Sequence, residues 1–126
     1  KGNKTKEKST VDIKETIYKI NNFDLVLIEA DTQNIQDLRQ LVDSSKKSQS
    51  HRCVLILSHQ DSKVVMVCGI TEDMQESLSA NDVIQVIAKA SNGKGGGRKD
   101  FAQGAGVTDN FEEFVNSIPD IVQSIA

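Results

Sequence analysis

Aromatic side chains are scarce in this chain of 126 residues: no tryptophan, one tyrosine and four phenylalanines, 4% in all. That excludes a binding surface built on rows of stacked aromatics, as in the RNA-recognition sheets. Cationic excess is missing too. Fifteen Lys and Arg stand against eighteen Asp and Glu, a formal charge of −3, so any nucleic-acid contact has to be local, or one among several made by a larger protein, rather than spread over a basic surface. Only two cysteines are present, Cys53 and Cys68, both inside apolar runs and without CxxC spacing. They read as reduced core residues of a cytoplasmic protein, not as a disulfide framework. No stretch reaches the ~18 consecutive apolar residues of a membrane span, and no signal peptide is visible. The chain starts with Lys1 rather than Met, which leads us to expect a piece of a longer parent.

What remains is one domain's worth of chain, long enough to bury roughly two-thirds of its unfolded surface. Residues 1–10 carry no apolar side chain and read as a tail, so residues 1–20 form a connector and 21–126 the domain. Over 11–20, Ile13, Ile17 and Ile20 fit a helical face and partly fit alternation; the lean is to helix. Asn21-Asn22 is a turn. The run Leu25-Val26-Leu27-Ile28 predicts a strand buried on both faces. Residues 31–34 carry capping chemistry, and Ile35, Leu38, Leu41 and Val42 recur at helical spacing. Residues 52–58 and 63–69 predict two strands joined by a short turn at 60–62, an antiparallel hairpin. Asn81 or Asp82 caps a helix around Val83, Ile84 and Ile87, and Gly93 fits the left-handed residue that closes it. Asp109 and Glu112 match a capping box before a face of Phe111, Phe114, Val115 and Ile118, which Pro119 interrupts. The fold class expected is α/β, with α+β as the variant: a small sheet of three or more strands with about three helices.

Six of the eight glycines fall in one stretch, Gly93-Lys94-Gly95-Gly96-Gly97-Arg98-Lys99-Asp100-Phe101-Ala102-Gln103-Gly104-Ala105-Gly106. Dense glycine costs backbone entropy, so it marks positive φ or close backbone approach. With Lys94, Arg98 and Lys99 beside it, the run offers N–H groups and cations to an anion. It is not a Walker loop, lacking GK[ST], and not a dinucleotide fingerprint, since it follows a helix rather than a strand. Spacing alone leaves two readings open, a phosphate-binding loop and a structural loop.

The same string resembles the signature of the DHH-associated domain, in the version carried at the C-terminus of alanyl-tRNA synthetase, where "GGKGGGRPDxAQ" followed by glycines is typical. Asn21-Asn22-Phe23 up to Ala30 resembles that family's first strand after a short turn. Leu38-Arg39 with Leu41-Val42-Asp43 resembles its "LR…D" helix, and Lys63 through Gly69-Ile70-Thr71 its "GKVxLVAGVTxD" strand. Two positions depart: Lys99 replaces the usual Pro, and Ser91-Asn92 stand where Gly is frequent. The resemblance implies a non-catalytic module that binds tRNA(Ala) and helps the aminoacylation and editing domains engage it. On that reading Lys94, Gly95, Gly96, Gly97, Arg98, Lys99, Gln103 and Gly104 contact RNA. The partners are tRNA(Ala), the other synthetase domains and a second copy of the chain. No cofactor is expected in this fragment; ATP, Mg and Zn belong to the rest of the parent, an alanine-tRNA ligase. The alternatives are the substrate-binding domain of a DHH phosphoesterase, and a dimerisation module using the apolar face of Phe111, Phe114, Ile118, Ile121, Val122 and Ile125.

Other residues invite weaker readings. His51, Cys53, His59 and Cys68 can be drawn as a zinc set, but their spacing matches no finger, and core cysteines explain them better. A nucleophilic thiol needs an electropositive setting, which Val, Leu and Met neighbours do not supply. Glu112 and Glu113 are adjacent and do not share a helix face. Lys46-Lys47 with His51-Arg52 read first as a solvated face and second as a further positive patch. Phe101 reads as an anchor that pins the glycine segment.

Overall fold

The three apolar runs form the centre of a six-stranded sheet in the computed structural model, which describes residues 13–126. The expected tail at 1–10 lies outside the described residues. The strands are β1 (Ile13–Ile20), β2 (Phe23–Ala30), β3 (Arg52–Gln60), β4 (Lys63–Ile70), β5 (Lys94–Gly97) and β6 (Phe101–Val107), in the order β1-β2-β3-β4-β6-β5. Only β2 and β3 pair in parallel, and the crossover that such a pair requires carries α1 (Ile35–Lys46). The other helices are α2 (Ala80–Ala90) and α3 (Phe111–Ile125), with a short 3-10 turn at Glu72–Met74. The outcome is an α+β sheet with three helices.

The strand alternation sorts the core into two layers. Leu25, Leu27, Leu55, Leu57, Val64 and Met66 face α2 and α3. Val26, Ile28, Val54, Ile56 and Val67 face α1 through Leu38 and Val42. Residues on β2 and β3 are apolar on both sides because both sides are covered. The α3 face that suggested dimerisation turns inward: Phe114, Val115, Ile118 and Val122 are buried against the sheet.

Five local expectations change. The segment from Ile13 is a strand, not a helix, paired with β2 along its whole length. As an edge strand it leaves Ile13 and Ile17 about half exposed, 49% and 48%, so its isoleucines never show a clean period of two. Ser79, not Asn81 or Asp82, caps α2, its Oγ accepting the Asp82 N–H at 3.1 Å. Asn110, not Asp109, caps α3, its Oδ1 accepting the Glu113 N–H at 3.0 Å. Pro119 does not interrupt α3, which runs on to Ile125; the helix gives up one N–H there while its inner face stays packed through Val122.

Turns follow side-chain chemistry. Asn21 and Asp61 take left-handed φ values of 53° and 57° in the two-residue turns before β2 and β4, a conformation Asn and Asp tolerate. At the end of α2 the left-handed residue is Asn92, φ 56°, not Gly93. The N–H of Gly93 reaches back to the Ala88 carbonyl at 2.7 Å and that of Asn92 to Lys89 at 3.1 Å, the paired bonds of a Schellman close.

Candidate nucleic-acid interface

The glycine stretch is not a loop. It is the β5–β6 hairpin at the end of the sheet, with Lys94 opposite Ala105, Gly95 opposite Gly104, Gly96 opposite Gln103 and Gly97 opposite Ala102. No glycine among the described residues has positive φ, so the run serves close approach rather than unusual backbone. The hairpin lies directly on α2. A Cβ at Gly95 would stand 2.6 Å from Ile84 Cγ2 and 2.7 Å from the Gly104 Cα. One at Gly106 would overlap Ser91. Side chains here would lift the hairpin off the helix.

The tip is tied down by backbone bonds. Arg98 donates its N–H to the Phe101 carbonyl at 2.8 Å, closing the turn. The Arg98 and Lys99 carbonyls accept the N–H groups of Asn81 and Ala80 at 3.0 and 2.9 Å, and the Asp100 carbonyl accepts that of Ile70 at 3.2 Å. The first donors of α2 are thereby engaged by the hairpin tip. Hydrogen-bonded pairs alternate along an antiparallel ladder. With Arg98 and Phe101 forming one such pair, Gly96 points its polar groups at Gln103, and Gly95 and Gly97 point theirs to the open edge. The Gly97 N–H is held by Asn81 Oδ1 at 3.0 Å. A cradle of three consecutive glycine N–H groups is therefore absent, and Gly95 supplies the outward donor.

All eight residues expected to contact RNA, Lys94, Gly95, Gly96, Gly97, Arg98, Lys99, Gln103 and Gly104, come together on this hairpin. Lys94, Arg98, Lys99 and Gln103 expose their side chains. Arg98 makes a loose pair with Asp100, Nε to Oδ1 at 3.5 Å, while 75% exposed, so solvent screens most of that attraction. Phe101 is half-buried against the α1-side core, which fits the anchor reading. The guanidinium of Arg39 lies over its ring, 4.7 Å from the centroid, at cation–π distance.

A shallow groove of about 380 Å³ opens on the α1 side of the hairpin, lined by Ile35, Lys63, Val65, Lys94, Gly95, Gln103, Gly104 and Ala105. A second, about 370 Å³, lies at the tip and is lined in part by Asn81, Gly97, Arg98 and Lys99. Sequence reasoning missed Lys63, which lines the first groove, and Arg39, which lies over Phe101 next to it. Arg39 follows Ile35 by four residues and so shares its helix face, but nothing in the sequence places that face beside β6.

The zinc set does not assemble. His51 and His59 sit at opposite ends of β3. His51 is bound to Asp73, Nδ1 to Oδ2 at 3.1 Å, and His59 stacks on Phe111 with centroids 4.4 Å apart. Cys53 and Cys68 are fully buried with sulfurs 3.8 Å apart, and burial pushes the Cys68 thiol well up, away from the reactive thiolate. Among the described residues no group of three or more His, Cys, Asp or Glu is placed to hold a metal. Arg52 spends an N–H on the Ser45 carbonyl at the end of α1, 3.1 Å, so the suggested second patch is partly committed to structure. No helix among the described residues is long and apolar enough to cross a membrane.

Comparison with known proteins places this geometry among relatives. The pattern of the DHHA1 domain matches residues 23–124. An alanine–tRNA ligase of Staphylococcus aureus, strain bovine RF122 / ET3-1, is 29% identical over 114 residues, 90% of this chain and 13% of the ligase. The enzyme of strain JH9 gives the same identity and coverage. The chain thus spans a small part of those ligases. Among solved structures, the C-Ala domain from Aquifex aeolicus alanyl-tRNA synthetase superposes with a TM-score of 0.75 at 28% identity, covering 86% of this chain and 98% of that one.

Proposed function

Because the chain belongs to the DHHA1 domain family, we propose that it is the non-catalytic, tRNA-binding C-terminal domain of an alanyl-tRNA synthetase. The observation that carries this reading is the likeness to the Aquifex C-Ala domain, which spans nearly all of that domain at 28% identity. The relatives' name, alanine–tRNA ligase, supplies the parent activity. On this reading tRNA(Ala) and the other synthetase domains are the partners, and the cytoplasm is the location. ATP, Mg and Zn belong to parts of the parent outside this chain.

Cations, more than backbone donors, do the work. Lys94, Arg98 and Lys99 project from a hairpin whose backbone is fixed to α2 and neighbouring strands, so their points of attachment are set before RNA arrives. Three such charges facing the sugar–phosphate backbone give sequence-independent attraction, and an overall charge of −3 confines it to this edge. Shape rather than base identity then decides what binds. The test is fluorescence anisotropy of a labelled tRNA(Ala) transcript titrated with the domain at low salt. The expected Kd is on the order of micromolar, typical of binding held mainly by phosphate contacts. A transcript that stays free at low salt and tens of micromolar protein overturns the reading.

A further inference from the structure

We infer that the groove between the hairpin and α1 receives an unpaired nucleobase from a looped RNA, with Arg39 as its stacking platform and Lys63 and Lys94 gripping the flanking phosphates. The inference rests on the tRNA-binding reading and extends it to residues on α1 and β4 that lie outside the hairpin.

Three observations converge on this surface. The first is its floor. On β6, Phe101, Gln103 and Ala105 point to the α1 side, because Ala102 joins the opposite core layer and Phe101 packs on the α1 layer. Gly95 and Gly104, opposite each other in the ladder, line the groove with backbone alone, so it is shallow. The second is its rim. Lys63 begins β4 opposite Val107, and Lys94 lies opposite Ala105. Both are exposed, and both line the same groove. No carboxylate is among the residues lining it.

The third is Arg39. Its guanidinium carbon lies over the Phe101 ring, 4.7 Å from the centroid, two residues along β6 from Gln103 and four along α1 from Ile35. The pair therefore lies next to the Ile35 and Gln103 end of the groove, without lining it. Arg39 as a whole is exposed, so the side of the guanidinium away from the ring meets solvent. A planar cation held in this way is a stacking surface for a base, a use of Arg common in recognition of unpaired RNA. The chain's shortage of aromatics does not oppose this, since Phe101 only orients the arginine. Gln103 adds a carboxamide, donor and acceptor together, at the centre of the floor. A paired duplex cannot offer an extruded base, so the site selects loops over stems.

The test uses the whole chain and compares wild type with Arg39→Ala, Arg39→Lys, Lys63→Ala and Gln103→Glu, alongside Arg98→Ala/Lys99→Ala. Binding is measured to a tRNA(Ala) transcript and to a fully paired RNA duplex across a salt series. Loss of one stacked base corresponds to roughly 5- to 150-fold in Kd, so Arg39→Ala is expected to weaken tRNA binding at least 5-fold and to leave duplex binding unchanged. Arg39→Lys, which keeps the charge but not the plane, weakens it similarly without changing the salt slope. Lys63→Ala flattens the slope by about 0.7–0.9. Gln103→Glu, an exposed change with little risk to folding, places a carboxylate in the groove and weakens tRNA binding. If the Arg39, Lys63 and Gln103 variants bind like wild type while Arg98→Ala/Lys99→Ala binds poorly, the groove is outside the footprint and the tRNA reading stands. If Arg39→Lys alone matches wild type, the stacking role is overturned. If wild type binds no tRNA, both readings fall.

Discussion

Replacing Gly95 by alanine measures how closely the hairpin rests on α2. The added Cβ would stand 2.6 Å from Ile84 Cγ2, 2.7 Å from Gly104 Cα and 2.8 Å from the Gln103 carbonyl oxygen. Ordinary carbon–carbon contact is about 3.5–4.0 Å, so each overlap is on the order of 1 Å. Two of the three neighbours are backbone of the paired strand. Relief therefore requires parting β5 from β6 or lifting the hairpin from Ile84, and overpacking of this kind costs about 1–3 kcal/mol. For a domain of this size each kcal/mol moves Tm by about 4 °C, so Gly95→Ala is expected to lower it by roughly 4–12 °C. Gly96→Ala is the control. Its Cβ would meet only the ends of two side chains, Asn81 Oδ1 at 3.0 Å and Gln85 Nε2 at 3.9 Å. Alanine there also loses less chain entropy on folding, about 0.4–1 kcal/mol in its favour, so the net change should stay within about 0.5 kcal/mol. Urea unfolding of both variants with unchanged m-values is the assay. Two equal losses, or a Gly95→Ala variant as stable as wild type, would refute the packing account.

Asn81→Ala should speed amide exchange at Gly97, whose N–H it holds, while Gly96 keeps its ladder bond; equal protection at Gly97 in both proteins would contradict this. The Asp73 carboxyl is held below its usual range, first by the Thr71 hydroxyl; desolvation opposes this, and the His51 backbone N–H and the charge of the His51 ring add to the lowering. A depressed carboxyl stabilises the fold above its unfolded value, near 3.8, and loses that contribution as pH falls through the lower folded value. The stability gap between wild type and Asp73→Asn should therefore shrink as pH falls below about 4; a gap that holds or widens between about pH 4 and pH 2 contradicts the assignment. Cys53 and Cys68 should resist a thiol reagent in the native protein at pH 8 and react together on unfolding; fast native labelling of either refutes their burial.

The central strands were legible because burial on both faces writes a continuous apolar run, and α1 because Ile35, Leu38 and Val42 keep helical spacing over one covered face. β1 was not legible. Ile13 and Ile17 face solvent and only Ile20 is buried, so their spacing of four and three imitates a helix. Helix starts were misplaced by a few residues because several capping side chains stand in a row, Ser79 before Asn81 and Asp82, and Asp109 before Asn110. The hardest case was the glycine stretch. Glycine is a poor strand former, and local propensity gives a loop. Contact with α2 reverses it: the lack of side chains that weakens a strand in isolation is what lets this one sit against Ile84. The eight hairpin residues of the candidate site could be named from sequence, but not Arg39 or Lys63: Arg39 reaches Phe101 only because α1 lies over β3 and β4, and Lys63 joins through the pairing of β4 with β6.

The most direct measurement is the salt dependence of tRNA(Ala) binding by wild type and by Arg98→Ala/Lys99→Ala. Three phosphate contacts through Lys94, Arg98 and Lys99 predict a slope of log K against log salt of roughly −2 to −3, reduced by about 1.4–1.8 in the double variant. Lys63, as the further rim cation proposed above, makes the wild-type slope steeper by no more than about one without altering that difference. Identical slopes for the two proteins would contradict RNA binding through the hairpin.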